Sequence, residues 1–385
     1  MKLSRTGLAP VLSTCSAFGL AAGLTVGLTF GLSGTAMAKE LRIATGTASQ
    51  NGLNSGVVVF AEELERLSEG EYTSEVYPGT LLKFAEMTNG IRDGIVDIGY
   101  TIPAYSRAEF PYTNMVTDVV TASPDVVVMT AVISDYILNE CEPCREEFKS
   151  LNQVNLGFSA VGPYYLMSKD KISSMADFEG KTIRGVGAFG RYVEAMGAKA
   201  VVIPSGDIYE SLNQGTLDGN TQGLDTLKSL SYGDVVDYVL NVPIGLYLGS
   251  SVFTVNRDLW EDMGADGQQM LLEAAATGHA HVTVTYYGEN QHYLKNPADG
   301  GVEAVEPDAE LQAATEAFYT TELDTIGKLA VEKYGQEDAP ARIEEIMALV
   351  DKWKAAFEGV DTTDVDAVAQ VYYDQLFSQI DPGAL

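Results

Sequence analysis

The chain has 385 residues, 46% of them hydrophobic, with 24 basic against 54 acidic side chains and a net charge of −30. A surface this acidic repels phosphate backbones and anionic lipid, which argues against nucleic acid and membrane surfaces as partners. The length suits two domains, or one large one, with a core that needs no disulfide or metal to hold it.

The first predicted element lies outside the fold. Lys2 and Arg5 make a basic start, an apolar and small-residue run follows from about Gly7 to Gly34, and Ala36-Met37-Ala38 is an A-x-A pattern before Lys39. This is a secretory signal peptide over residues 1–38. The scattered Gly, Ser and Thr and the cleavage pattern separate it from a retained anchor, and Cys15 precedes the apolar run instead of following it, unlike a lipoprotein site. No later stretch is long and apolar enough to span a bilayer. Without the leader, 347 residues carry 22 basic and 54 acidic side chains, a net −32. That field opposes an anionic ligand, so local positive charge must prevail at short range, where salt screens the rest.

Leu41–Thr45 predicts a strand, and polar sequence follows to Ser55. Val58, Ala61, Leu64 and Leu67 share one face of a helix over 57–67. Tyr72–Tyr77 alternates as a strand and stops at Pro78-Gly79, a helix follows from about Phe84 to Asp93, and Ile95–Tyr100 is a further strand. The continuous apolar run Val126–Val132 predicts a buried strand, and residues 134–150 a helix. Within that helix Cys141 and Cys144 form Cys-Glu-Pro-Cys. In an exported chain the expectation is a local disulfide. A redox pair should open a helix after a buried strand, whereas this one sits in acidic, polar sequence, and two thiols fall short of a zinc site.

Leu151–Met167 and Leu248–Val255 are strands that border a second α/β unit. From about Asp266 the pattern turns helical, with amphipathic stretches at Gln312–Tyr334, Ala341–Phe357 and Val365–Ile380 and a loop at Asn296–Asp308. Strands alternating with helices predict an α/β fold with largely parallel sheets. Two such units without a linker predict two lobes joined by a hinge, with ligand in the crevice at the carboxyl ends of strands.

Gly185-Val186-Gly187-Ala188-Phe189-Gly190 is a literal G-x-G-x-x-G, which in the right context marks a dinucleotide fold. The context is wrong. The preceding strand is short and flanked by Lys181 and Arg184, and the helix at Arg191–Met196 is too short for a Rossmann crossover. Asp207, at the spacing of a ribose-binding acid, reads instead as the N-cap region of a helix from Ile208. No cofactor nucleotide is expected, and the glycines serve close backbone approach beside Arg184. His279, His281 and His292 lack an acidic or thiol cluster, so no metal is expected either. No G-x-S-x-G elbow is present, and Ser205 lacks the strand–helix context of a nucleophile. Arg184, at a strand end before the Gly-rich turn, has the fork that holds a carboxylate bidentately. Tyr105, Tyr164, Tyr165, Tyr209 and Tyr247 fall near element ends and suit the flat walls of a small-solute cleft.

Asp177-Phe178-Glu179-Gly180-Lys181-Thr182-Ile183-Arg184 and Asp207-Ile208-Tyr209-Glu210-Ser211-Leu212-Asn213-Gln214-Gly215-Thr216-Leu217-Asp218-Gly219 resemble two signatures of TRAP-transporter solute receptors, the DctP-like family. Tyr77-Pro78-Gly79-Thr80-Leu81-Leu82 and Gly94-Ile95-Val96-Asp97-Ile98-Gly99 resemble two further segments of that family, and the resemblance covers about residues 41–275. It implies a non-catalytic periplasmic receptor with two α/β lobes, here 39–161 plus 249–287 and 162–248 plus 288–385. Such a receptor closes on a small organic acid and delivers it to membrane permease subunits. The family's carboxylate-binding arginine matches Arg184. Gln222 stands where Asn is usual. A further arginine of some members would fall near Tyr164, so a sialic-acid-like site is not implied. Glu86 matches a frequent wall residue. The candidate ligand-binding residues are therefore Arg184, Gln222, Glu86, Tyr164, Phe189 and Tyr247. The rival readings are an exported enzyme using the same cleft, perhaps at the histidines, and a partner that presents its ligand to a sensor.

Overall fold

A computed structural model describes residues 38–385. The signal-peptide expectation, apart from Ala38, and Cys15 lie outside the described residues.

The first lobe opens with β1 (Lys39–Thr45), α1 (Leu53–Leu67), β2 (Tyr72–Pro78), α2 (Phe84–Arg92) and β3 (Ile98–Thr101). β1 pairs in parallel with β2 and β3, and α1 covers them with Val57, Phe60 and Leu64 buried. Next come α3 (Pro111–Thr117), α4 (Val126–Asp135), α5 (Glu142–Ser150) and β4 (Gln153–Asn155). The chain crosses on β5 (Ser159–Ser168) into the second lobe, which holds α6 (Met175–Phe178), β6 (Thr182–Arg184), α7 (Ala188–Ala195), β7 (Lys199–Val201), α8 (Ile208–Asn213), β8 (Gly219–Gln222), α9 (Thr226–Ser229) and β9 (Tyr238–Leu240). It returns on β10 (Gly245–Asn256) into the 39-residue α10 (Arg257–Lys295). β11 (Glu303–Val305) and three helices, α11 (Ala309–Tyr334), α12 (Ala339–Ala356) and α13 (Val365–Gln375), complete it.

All strands belong to one sheet, whose main path runs β2-β1-β3-β10-β5-β8-β6-β7. Each lobe has a parallel half, and the two crossing strands are antiparallel to each other and to their neighbours. β5 and β10 are almost wholly buried, as near-continuous apolar strands of a covered sheet should be.

Val126–Val132 is not a strand. It is most of α4, all ten residues of which are buried, with Asp125 accepting hydrogen bonds from the Val127 and Val128 amides. A segment buried all round is apolar in either conformation, so periodicity is silent and the Asp cap is the local signal. The helix expected over 134–150 is interrupted by a π-helical turn at Tyr136–Glu140 and a break at Cys141. There Cys141 and Cys144 form a buried disulfide with Cα atoms 5.2 Å apart. Asp207 makes no side-chain cap; Ser205–Asp207 is a 3₁₀ turn leading into α8. Within the Asn296–Asp308 loop, β11 pairs with β9.

The boundary expected at residue 288 does not hold for the C-terminal helices. Trp353 and Lys352 of α12 donate to Asp135 of α4, the Tyr372 hydroxyl of α13 donates to the Val127 carbonyl, and Phe377 stacks on His279 of α10. α12 packs on α4 and α3 as well as on α11, and α13 packs on α10, so residues 339–385 pack largely with the first lobe.

Candidate functional site

Arg184 ends β6, at the carboxyl edge of the second lobe's parallel strands. The Leu217-Asp218-Gly219 turn sets its position. The Asp218 carboxylate accepts from the Thr182 amide at 2.7 Å and the Asp218 amide donates to the Thr182 carbonyl, which locks the start of β6 to β8. A Cβ on Gly219 would lie 2.7 Å from the Met167 carbonyl, so only glycine lets β8 approach β5 this closely. Arg184 then sits opposite Asn220, with Gly185 donating to Val201.

The Arg184 side chain is 2% exposed and has no carboxylate partner among the described residues. Its Nε donates to the Ile203 carbonyl at 3.2 Å, Nη1 to the Thr221 carbonyl at 3.1 Å and Nη2 to the Tyr105 hydroxyl at 3.1 Å. A guanidinium has five N–H groups, so two remain, one on each terminal nitrogen. Burial works against its charge while the neighbouring tyrosine hydroxyls work for it, and the upward direction prevails.

Arg184 lines a partly open cavity between the lobes. The first lobe contributes Gly46, Thr47 and Asn51 after β1, Phe84 at the start of α2, and Tyr100, Ile102 and Tyr105 at the end of β3. The second lobe contributes Arg184, Ser205, Gln222 and Thr226, and the crossing elements supply Tyr164, Tyr247 and Tyr286. The space open to the centres of water-sized molecules is about 60 Å³. Adding a water radius of about 1.4 Å around it gives roughly 200 Å³, below the ~300–1,000 Å³ of drug-sized sites and suited to a small solute.

Aromatic rings form much of the wall. Tyr164 and Tyr247 stack with centroids 5.1 Å apart and planes 5° apart, and Phe84 meets Tyr100 edge-on at 5.0 Å. A Cβ on Gly46 would fall 2.5 Å from the Phe84 ring, so the glycine admits that ring to the wall. Burial pushes the hydroxyls of Tyr100, Tyr164, Tyr247 and Tyr286 upward, so they stay protonated.

Polar contacts tie the lobes together around the cavity. The Tyr105 hydroxyl accepts from Arg184 and from the Ser205 amide, and bonds the Ser205 hydroxyl. Asn51 Nδ2 donates to Asp225 at 3.2 Å and to Ser229 at 3.0 Å. Burial pushes the Asp225 carboxyl up to about 7, against the pull of hydrogen bonds from Tyr286, Ser229 and Asn290. Beyond one end, Asp118 sits between Arg107 and Arg191, and Arg191 also reaches Glu322.

Of the six expected ligand residues, Arg184, Gln222, Tyr164 and Tyr247 line the cavity. Gln222 Oε1 is buried without a hydrogen-bond partner. Phe189 lies behind the wall, 4.5 Å from the Tyr164 ring. Glu86 is outside: it is exposed, and its carboxylate accepts from the Lys83 amide as the N3 member of α2's capping box. Phe84, two residues earlier, takes the wall position. Phe84, Tyr100, Asn51 and Tyr286 carried no local motif, and Asp225 was one acid among 54.

The G-x-G-x-x-G glycines pack on protein. A Cβ on Gly185 would meet the Gly190 backbone at 2.8 Å, and one on Gly187, at φ +54°, would collide with Asp118 and Arg107. The Asp118–Arg107 ion pair fills the space beside the second glycine where a dinucleotide fold would hold the pyrophosphate. The histidines do not converge. His279 is buried between Ser159 and the Leu156 carbonyl, with burial pushing it down to about 4; His281 contacts Ser55 and Thr285; His292 pairs with Asp299.

The sequence profile of bacterial extracellular solute-binding protein, family 7, matches residues 43–325. A solute-binding protein of Roseobacter denitrificans is 29% identical over 295 residues, spanning 73% of this chain and 87% of its own. Among solved structures, a marine-metagenome TRAP solute-binding protein specific for aromatic acid ligands, in complex with 3-hydroxybenzoate, superposes with a TM-score of 0.71 at 19% identity. That match covers 82% of this chain and 99% of the other. A Bordetella bronchiseptica TRAP periplasmic solute-binding protein with bound mandelate superposes at 0.70 and 21% identity, with the same coverage. These superpositions establish the shared two-lobed fold.

Proposed function

The chain belongs to the bacterial extracellular solute-binding protein family 7, and from that premise we propose that it is an exported receptor that captures a small organic acid and hands it to TRAP permease subunits in the membrane. One observation carries the choice of ligand. Arg184 is a buried cation that has no carboxylate partner among the described residues and lines the interlobe cavity with two unused N–H groups. A buried charge without a counter-charge is costly, and a ligand carboxylate removes that cost while filling both donors. The carboxylates named for the two solved relatives support the same reading.

In this reading the lobes move about β5, β10 and α10, the elements that pass between them. A ligand touching both lobes favours the closed state by its differential affinity for it. Tyr105 couples the two events, because its hydroxyl joins the first lobe to the ligand-binding arginine and to Ser205. The leader pattern supports a periplasmic location for this receptor. The test is calorimetric titration of the mature chain with a panel of organic anions, followed by recovery of the ligand. The expected result is binding with the ligand recovered unchanged. Failure of every organic anion to bind, or turnover of the one that binds, overturns the reading.

A further inference from the structure

Resting on that reading of the cavity, we propose that the solute is a monocarboxylate whose remainder is an uncharged, flat ring. Charge counting comes first. Arg184 is the single charged side chain among the described residues that line the cavity. A second carboxylate on the solute would be buried without a cation, and a solute ammonium without an anion; either burial is strongly disfavoured. Asp225 stands nearby but is taken, with Asn51, Ser229 and Asn290 on its oxygens. Dicarboxylates and amino acids are therefore excluded by the wall itself.

Donor counting agrees. The two free N–H groups of Arg184, one on each terminal nitrogen, match the two oxygens of one carboxylate. The shape of the remaining wall sets the body of the solute. The Tyr164 and Tyr247 rings, stacked on each other, and the edge-on pair of Phe84 and Tyr100 line the cavity together with Ile102 and Val161. An aromatic ring gains from both arrangements, beyond the apolar area it buries. The protonated tyrosine hydroxyls leave room for a neutral ring substituent but supply no charge.

The experiment is calorimetric titration of the mature chain with phenylacetate, benzoate, cyclohexanecarboxylate, succinate and phenylalanine. The expected order puts phenylacetate or benzoate at least 100-fold tighter than succinate and phenylalanine and at least 5-fold tighter than cyclohexanecarboxylate. Tightest binding by succinate or phenylalanine overturns the proposal and leaves the organic-acid receptor standing. Equal binding of the saturated and aromatic rings overturns the flat-ring assignment. Binding by none of the five, but by an organic anion that is not a flat-ring monocarboxylate, overturns the proposal alone; binding by no organic anion overturns the receptor reading with it.

Discussion

Replacing Arg184 by methionine separates the two things its charge does. In the proposed complex the two free N–H groups would each make a charge-assisted hydrogen bond to the carboxylate. At about 1.5–3 kcal/mol apiece, their loss costs about 3–6 kcal/mol of binding, or roughly 10²–10⁴ in Kd. In the free receptor the balance differs. Methionine keeps most of the volume and removes a buried cation that has no acid partner. Against that gain, the Ile203 and Thr221 carbonyls and the Tyr105 hydroxyl lose a donor, at about 1 kcal/mol each. The ligand-free variant should therefore melt within a few degrees of the parent. The parent, with ligand at ~100 times Kd, gains about 2.7 kcal/mol, and the variant should gain at most about 0.4 kcal/mol at that concentration. Thermal melts with and without ligand, paired with titration calorimetry, measure both quantities. A methionine variant that binds within threefold of the parent refutes the assignment of Arg184. One that unfolds far below the parent without ligand refutes the claim that the cation is uncompensated.

Tyr105→Phe removes the shared acceptor of Arg184 and the Ser205 amide, two links at about 1 kcal/mol each, so ligand affinity should fall roughly 10- to 30-fold by calorimetry, with the far-UV spectrum unchanged. Asp225 ordinarily titrates near 3.8 but is pushed up to about 7 by burial, so the folded chain binds more protons than the unfolded chain between these values. Stability from this group is complete below about pH 4 and lost as pH rises to about 7, by an amount on the order of a few kcal/mol. Asp225→Asn should flatten that part of the melting-temperature profile, and a profile parallel to the parent's sinks the argument. Gly187→Ala puts a Cβ into Asp118 and Arg107 at a positive φ and should cost at least about 2 kcal/mol in urea denaturation; a variant as stable as the parent would show that this loop is not held against the ion cluster. Replacing both Cys141 and Cys144 by alanine opens a loop of only a few residues, for which chain entropy gives about 2 kcal/mol, read as a lower denaturation midpoint with ligand affinity unchanged.

Several features were legible because their causes are local. The Asp-Phe-Glu-Gly turn, the Leu-Asp-Gly turn and the strand end at Arg184 depend on residues within a few positions of one another. Glycines with positive φ at Gly180 and Gly215 mark where those turns must fall. The lobed α/β order followed from alternating periodicities, and the family motifs pointed to the arginine. Rejection of the nucleotide reading was also local, since the strand and helix around the glycines were too short.

Other features depended on what lies across the molecule. Val126–Val132 reads as apolar whether it is helix or strand; apart from the Asp125 cap, what accompanies the helix is its packing against α10, α12 and β5. Glu86 and Phe84 lie on one short helix, yet the cavity takes Phe84, because Gly46 opens space for its ring while Glu86 is used by the helix's own first turn. Phe189 packs behind Tyr164 rather than on the cavity. The Tyr105–Arg184 bond joins residues 79 positions apart, and Asn51–Asp225 joins residues 174 apart. Sequence by itself determined that this chain carries a carboxylate-shaped cation at a strand end in a lobed receptor. Tertiary structure decided that the cation is buried without an acid, and that tyrosine and phenylalanine rings surround it. Burial and counter-charge are properties of distant neighbours, which no local periodicity records.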